Sequence, residues 1–288
     1  MSAIFTSWWR VLLFGSIGLL SLATVCAQTP AQVPGRIVAA QVHGAVTAAV
    51  RGGAEGRALR DGEALAQDAI VTTAPGASVV LVFSNGATVA LGSDSSLSID
   101  AFLQEPFGAD DQAAAQTEPS TSRTRLHLSR GELVGSVKHL RLDRGSSFAV
   151  DTAVGAAGIR GTVFRLVIRP TAGGQVLFSL STDQGEVALQ GLNVPAVSVA
   201  AGREVRFSFE ATADPKTGEL TVTAVPVIEA TTPISAESQA AIATAAQEIA
   251  RAVQQVVVPS PEAAGKSTPS KSGNSPQPVL PPNSPSQP

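Results

Sequence analysis

The sequence predicts an all-β body, built as a compact roll, a solenoid-like stack or a sandwich of short strands, followed by one C-terminal helix and a disordered tail. Three observations predict it. Short apolar runs punctuated by Gly, Asn, Asp and Ser recur from Gly35 to about Ile228, the pattern of strands and tight turns. No 3.6-residue period appears in that span, whereas Ser235 to Val258 carries a clear one. From Pro259 onward the chain is dominated by Pro, Ser, Lys, Asn and Gln and cannot bury enough apolar surface to offset its ordering entropy. The expected divisions are a signal peptide at 1–27, a linker at 28–34, the β body at 35–228 with a loop inserted at 103–122, a helix at 235–258 and the tail at 259–288.

The N-terminus comes first. Arg10 supplies a positive charge, Val11 to Leu22 holds no ionisable group, and Val25-Cys26-Ala27 offers small residues where a signal peptidase reads. Cleavage after Ala27 is expected, which places the product in the periplasm or outside the cell. The branched Val25 disfavours a lipid anchor on Cys26. No later apolar run has transmembrane length, so no integral membrane segment is expected after cleavage. Cleavage also removes the one cysteine and both Trp8 and Trp9, and the chain has no tyrosine. A disulfide framework and a cysteine zinc site are thereby excluded from the mature chain, and stacking platforms reduce to phenylalanines. A net charge of -3 argues against a nucleic-acid partner.

Within the body, Val79–Phe83, Ser84-Asn85-Gly86 and Ala87–Leu91 read as a hairpin, with Asn-Gly suited to a type I′ turn. Its first arm is apolar on both faces, as a strand covered on both sides requires. Ser96–Asp100 and Arg125–Ser129 alternate, so each should have one wet face. Gly131-Glu132-Leu133-Val134, Gly185-Glu186-Val187 and Gly218-Glu219-Leu220 read as turn glycines that start strands. Leu103 to Ser122, rich in Glu, Asp, Ala and Gln, reads as a mobile acidic surface loop. Its Asp110 and Asp111 lack the alternating oxygen ligands and turn glycine of a calcium site.

Ser235 is placed to cap a helix whose Ile242, Ala245, Ile249, Ala252 and Val256 form one stripe ending before Pro259. That stripe fits a helix laid against the β body. The sharper alternative is self-association through 235–258.

The stretch from Ile159 to Ile168 carries the most information. Simple alternation puts Arg160, Thr162, Phe164, Leu166 and Ile168 on one face and Ile159, Gly161, Val163, Arg165 and Val167 on the other. Arg160 would then enter a core margin, where an unpaired charge costs several kcal/mol, so it is expected to act as an internal clamp held by loop carbonyls or by Asp151. Gly161 is expected where a neighbouring strand crosses closely or a bulge forms.

Phe148-Ala149-Val150-Asp151-Thr152, a short link, and Ile159-Arg160-Gly161-Thr162-Val163-Phe164 together resemble the signature of FecR domains. Leu59–Leu65, Ile70–Thr73, the Phe83–Gly86 hairpin, Ser95–Leu97 and Gly131–Leu133 are similar to the other strands of that family, in order. The resemblance implies a β domain whose signature residues Arg160, Gly161, Thr162, Phe164 and Asp151 are structural. The best-known members are membrane regulators in ferric-citrate and siderophore signalling. The short stub before Arg10 is not expected to hold the cytoplasmic sigma-factor-binding part of such regulators. What carries over is an exported FecR domain.

No catalytic constellation emerges. His43, His127 and His139 share no metal-ligand spacing, Ser93–Ser96 lacks a nucleophile elbow, and Gly52-Gly53 and Gly173-Gly174 precede no helix that would cradle phosphate. The chain is therefore expected to be no enzyme, to need no cofactor and no metal, and to act as a binding or sensing module that contacts an unknown protein of the cell envelope. The alternatives are an envelope-structural or adhesion component anchored through the helix and tail, and the periplasmic part of an iron-signalling regulator. A hydrolase with dispersed carboxylates is the third class.

Overall fold

Two-residue alternation, repeated strand after strand, builds two facing layers from one chain. The computed structural model describes residues 31–53, 56–108, 111, 116–171, 174–191, 196–214, 220–224, 226, 228 and 230–261. The expected signal peptide, most of the tail, the middle of the 103–122 loop and the Gly218-Glu219 strand start lie outside them. In chain order the strands are β1 (Val33–Pro34), β2 (Ile37–His43), β3 (Val46–Val50), β4 (Arg57–Ala58), β5 (Ala64–Leu65), β6 (Ala69–Thr73), β7 (Ser78–Phe83), β8 (Thr88–Leu91), β9 (Ser96–Gln104) and β10 (Ser122–Ser136). They continue as β11 (Ser147–Thr152), β12 (Gly155–Ile159), β13 (Val163–Pro170), β14 (Gln175–Gln184), β15 (Glu186–Gly191), β16 (Val197–Ala200), β17 (Arg203–Ala213), β18 (Leu220–Val222) and β19 (Thr232–Pro233), before helix α1 (Ala236–Gln255).

Layer A reads β4-β3-β6-β9-β10-β11-β12-β15-β16, with β1 beside the far end of β9. Layer B reads β5-β2-β7-β8-β10-β13-β14-β17-β19. The β10–β11 pair is parallel. β10 belongs to both layers: its first half pairs with β9 and β11, its second half with β8 and β13. The result is one large sheet folded over on itself, not a closed barrel.

The fold-over is made at Gly131, whose φ is +98°. A Cβ there would lie 2.4 Å from the Cα of Ser95, so both the bend and the approach of β9 need glycine. Gly131 is therefore a bend inside a strand of 15 residues, not the start of a new one. Register shifts between Arg125 and Leu126 and between Leu128 and Arg130 lead into it.

The inner faces meet in one core. Leu97, Ile99, Leu126, Leu128 and Val150 of layer A pack in one cluster with Leu81, Leu91, Leu133, Leu166 and Phe178 of layer B, all of them buried. Phe83 and Phe102 bridge the layers edge to face, 5.2 Å between ring centres. Each such side chain contributes about 1.5–3 kcal/mol by leaving water.

Layer B also has an apolar outer face. Ala40, Val80, Val82, Ala90 and Val134 lie under Ile242, Ala245 and Ala252 of α1, which explains why the first hairpin arm is apolar on both sides. Ser235 caps the helix, its Oγ accepting from Ser238 N at 3.2 Å. The stripe expected from the sequence thus faces the sheet of its own chain. Among the described residues no helix is long and apolar enough to cross a membrane.

Three expectations are corrected. In the 84–86 turn only Gly86 takes a positive φ, +83°. Phe83 N donates to Ala87 O at 2.9 Å, giving a three-residue loop in place of a type I′ turn, because the Asn85 side chain is used inward. It donates to Ser122 Oγ at 3.0 Å and accepts from Ala87 N at 3.0 Å. Next, the ends of the 103–122 segment are not surface loop. Leu103 and Gln104 belong to β9, and Glu118 is fully buried, accepting from Ser122 Oγ at 2.6 Å and Arg141 N at 2.7 Å. Those donors satisfy the carboxylate that composition alone assigned to water. Finally, the link within the signature is itself a strand, β12, paired with β11 from Phe148↔Ile159 to Thr152↔Gly155.

Candidate functional site

The signature residues come together at the passage from β12 in layer A to β13 in layer B. Gly161 has φ +77°, and a Cβ on it would meet His139 Nδ1 at 2.7 Å and His139 Cα at 3.0 Å. The close crossing expected there is present. That left-handed residue also resets the alternation. Thr162, Phe164, Leu166 and Ile168 turn inward as expected, but Arg160 sits before the reset and is exposed. It is not the internal clamp, and Asp151 is not its acceptor: Asp151 pairs with Arg125 on the outer face of layer A. Thr162 is buried, with no hydrogen-bond partner for its Oγ1 among the described residues.

The buried cation is Arg165, five residues on, with 3% of its surface exposed. It projects from the outer face of layer B beneath the start of α1. Its Nε donates to Glu132 Oε1 at 2.7 Å, its Nη1 to Ser238 Oγ at 3.0 Å and its Nη2 to Glu237 Oε1 at 3.4 Å. Arg169 reaches the other oxygen of Glu132 at 2.5 Å. Beside them Glu204, 3% exposed, accepts from Ser238 Oγ at 2.6 Å, Ser181 Oγ at 2.8 Å and Ser235 Oγ at 3.0 Å, while Arg206 lies 3.0 Å from its second oxygen. Three guanidinium groups and three carboxylates balance, and the helix cap residues are shared between helix and sheet. This is a polar lock on the N-terminal end of the helix.

Burial by itself pushes the Glu204 carboxyl up, but the hydrogen bonds from Ser238, Ser181 and Ser235 outweigh it and hold it below the ordinary glutamate range. A carboxylate lowered on folding stabilises the protein above its unfolded pKa, and that contribution is lost as pH falls through the lowered folded value. Acidification through and below the normal carboxylate range should therefore release the start of α1. Melting curves across that range should show the parent losing stability, and Glu204→Gln should be less stable at neutral pH with a flatter acid response. An unchanged slope in the variant would remove Glu204 from the lock.

The outer face of layer A carries the remaining polar groups. Register places Ser98, His127 and Asp151 side by side on β9, β10 and β11. They do not form a catalytic relay. Ser98 Oγ donates to Asp100 at 2.9 Å and accepts from Arg51 at 2.5 Å, Asp151 is taken by Arg125, and His127 bonds to neither neighbour. The amides of these central strands are spent in the ladder, which leaves none aimed at an oxyanion. The face holds cross-strand ion pairs, Arg51–Asp100 and Arg125–Asp151, with Arg130–Asp94 (3.4 Å) near the fold-over. A row of small residues, Ala149, Gly158, Ala188 and Ser198, crosses β11, β12, β15 and β16. Among the described residues the helix packs on layer B and not on this face. Among the described residues no group of three or more His, Cys, Asp or Glu is arranged to hold a metal ion. His43 and His139 are exposed and His127 is half-buried.

Reading the sequence alone missed Arg165, Glu204 and Glu118. A single signal pointed to the first, an arginine interrupting the apolar run from Val163 to Ile168 on the face later found under the helix.

Comparison with known proteins adds a family. The family model described as FecR protein matches residues 69–188. No curated protein matches the chain. Two crystal structures of a candidate anti-sigma factor from Parabacteroides distasonis, at 2.50 and 1.65 Å, align with 12% and 13% identity and TM-scores of 0.38 and 0.39. Each alignment covers 60% of this chain and 62% or 63% of the solved one, so the chain spans about three fifths of the structures it matches. The matched segment runs from β6 through the folded-over strand β10 and the β11–β12–β13 signature into β15, and by that match the chain carries a FecR domain at residues 69–188.

Proposed function

We propose that this chain is an exported sensing module that works by protein–protein contact in the cell envelope, with the open outer face of layer A as its contact surface. The observation that carries the reading is the asymmetry of the two faces. Layer B spends its outer face on α1, whereas layer A presents a broad face of small residues and paired charges. Exposed ion pairs contribute little to folding, typically about 0–1 kcal/mol each. A fixed array of them can orient and select a partner. The FecR domain supports a role in signalling. Anchorage through the helix is disfavoured, because its apolar stripe is already occupied.

Reversing Arg51 and Arg125 together to glutamate tests this. The folded protein should keep its stability to within about 1 kcal/mol, since both side chains are largely in water. Affinity capture from the envelope fraction should lose the bound protein, while Arg251→Glu on the exposed side of α1 should retain it. Capture that survives the double reversal and fails with Arg251→Glu would move the contact surface to the helix.

A further inference from the structure

A polar cavity of about 480 Å³ opens beside the passage from β12 to β13. Four pieces of chain wall it: Gln116, the segment from Ser136 to His139, the segment from Gly161 to Val163, and the Gln184-Gly185 turn between β14 and β15. Backbone bonds tie them together, Val137 N donating to Thr162 O at 2.9 Å and His139 N to Gln116 O at 2.8 Å. Gly185 has φ +77°, and a Cβ on it would meet Gly161 O at 2.7 Å. The turns at 161 and 185 thus close on one another, and the wall is fixed by the same crossing that the signature makes.

The lining is selective in charge. No aspartate or glutamate lines the cavity, although the chain as a whole carries a net charge of -3. Glu186, next to the turn, is held instead by Ser198 on β16. The cation of the wall is Lys138, with His139 beside it. Burial holds the Lys138 ammonium below the ordinary lysine range, so an anion placed against it would offset the lost hydration. The side chains of Gln116, Ser136, His139 and Gln184 form no hydrogen bond with another described residue. Thr162, whose buried hydroxyl lacks a partner among the described residues, lines the same cavity.

These groups select a ligand class. The volume falls within the roughly 300–1,000 Å³ of small-molecule sites, and a bare phosphate or acetate would leave most of it to water. Carboxamides and hydroxyls both donate and accept, which suits ligand hydroxyls, whereas an ammonium only donates, which suits a carboxylate. The wall has no aromatic ring, so an aromatic acid gains little there.

We propose that this cavity binds an acidic sugar of the uronic-acid type, its carboxylate against Lys138 and His139 and its hydroxyls against Gln116, Gln184 and Ser136. The site shares none of the residues named on the outer face of layer A, so it gives the protein a ligand separate from its protein contact. Titration of the isotope-labelled protein with glucuronate, followed by its amide resonances, tests it. Glucuronate should bind with a Kd of millimolar order or tighter and shift the amides of His139, Gly161, Gln184 and Gly185. Glucose, acetate and phosphate should each bind at least about tenfold more weakly, because each lacks one half of the match. Lys138→Gln and Gln184→Ala should each weaken glucuronate binding by about tenfold. The melting temperature of Gln184→Ala should stay at the parent value, since that side chain is exposed. Glucose, acetate or phosphate binding as tightly as glucuronate would overturn the assignment. So would a titration that leaves these amides unshifted, or an affinity that both variants leave intact.

Discussion

Arg165→Ala should destabilise the protein by about 3–5 kcal/mol in urea or guanidinium unfolding, whereas Arg160→Ala should shift it by no more than about 0.5 kcal/mol. The two arginines are five residues apart, yet the structure gives them opposite roles. Removing Arg165 leaves Glu132 half-satisfied by Arg169 and strips Ser238 and Glu237 of a shared donor, all beneath the first turn of α1. A buried ion pair need not outperform an apolar pair, but breaking one partner leaves the other charge uncompensated. Arg165→Lys should recover less than half of the loss, because a single ammonium cannot reach three acceptors set around a planar fork. Arg160 is already in water, so truncating it exposes nothing. Equal losses for Arg160→Ala and Arg165→Ala would restore the clamp that alternation alone suggests.

Gly131→Ala should be the most damaging single-methyl change in the β body, costing at least about 3 kcal/mol or preventing accumulation of folded protein. Two penalties combine at that position. An L side chain is strained at φ +98°, and the new Cβ would overlap the Cα of Ser95, which is backbone and cannot rotate away. Relief requires β9 and β10 to separate where the sheet folds over, disturbing both layers together. Circular dichroism and denaturant titration will measure the loss. A stability within about 1 kcal/mol of the parent would mean that the fold-over is more pliable than the geometry allows.

Local signals in the sequence carried the fold a long way. The apolar arms around Ser84-Asn85-Gly86 gave the β7–β8 hairpin, and the double-sided apolarity of Val79–Phe83 anticipated a cover on each face. Ser235 and the Ile242–Val256 stripe located α1 because cap chemistry and the 3.6 period are both local. What failed was whatever depends on where separate segments meet. Alternation points Arg160 inward because it presumes an unbroken strand, and the left-handed Gly161 breaks it by one residue. Composition leaves Glu118 in water because one of the two groups that satisfy it, Arg141 N, lies 23 residues on, beyond β10, although the other, Ser122 Oγ, is only four residues away. The lock around Arg165 and Glu204 joins β10, β13, β14, β17 and α1, so no spacing within one element could reveal it. The open face of layer A was legible only in part. Ser96–Asp100 and Arg125–Ser129 alternate as half-wet strands should, but their adjacency to β11, β12 and β15 follows from the parallel β10–β11 pair and its register.

The central functional claim is that contact is made by layer A and not by the helix-covered side. Position-resolved photo-crosslinking in the native cell addresses it most directly, with a photoreactive residue at Ala149 or Ala188 on the open face and at Gln247 on the exposed side of α1. A discrete adduct of the same mass is expected from both layer A positions and none from Gln247. An adduct from Gln247 with none from Ala149 and Ala188 would contradict it.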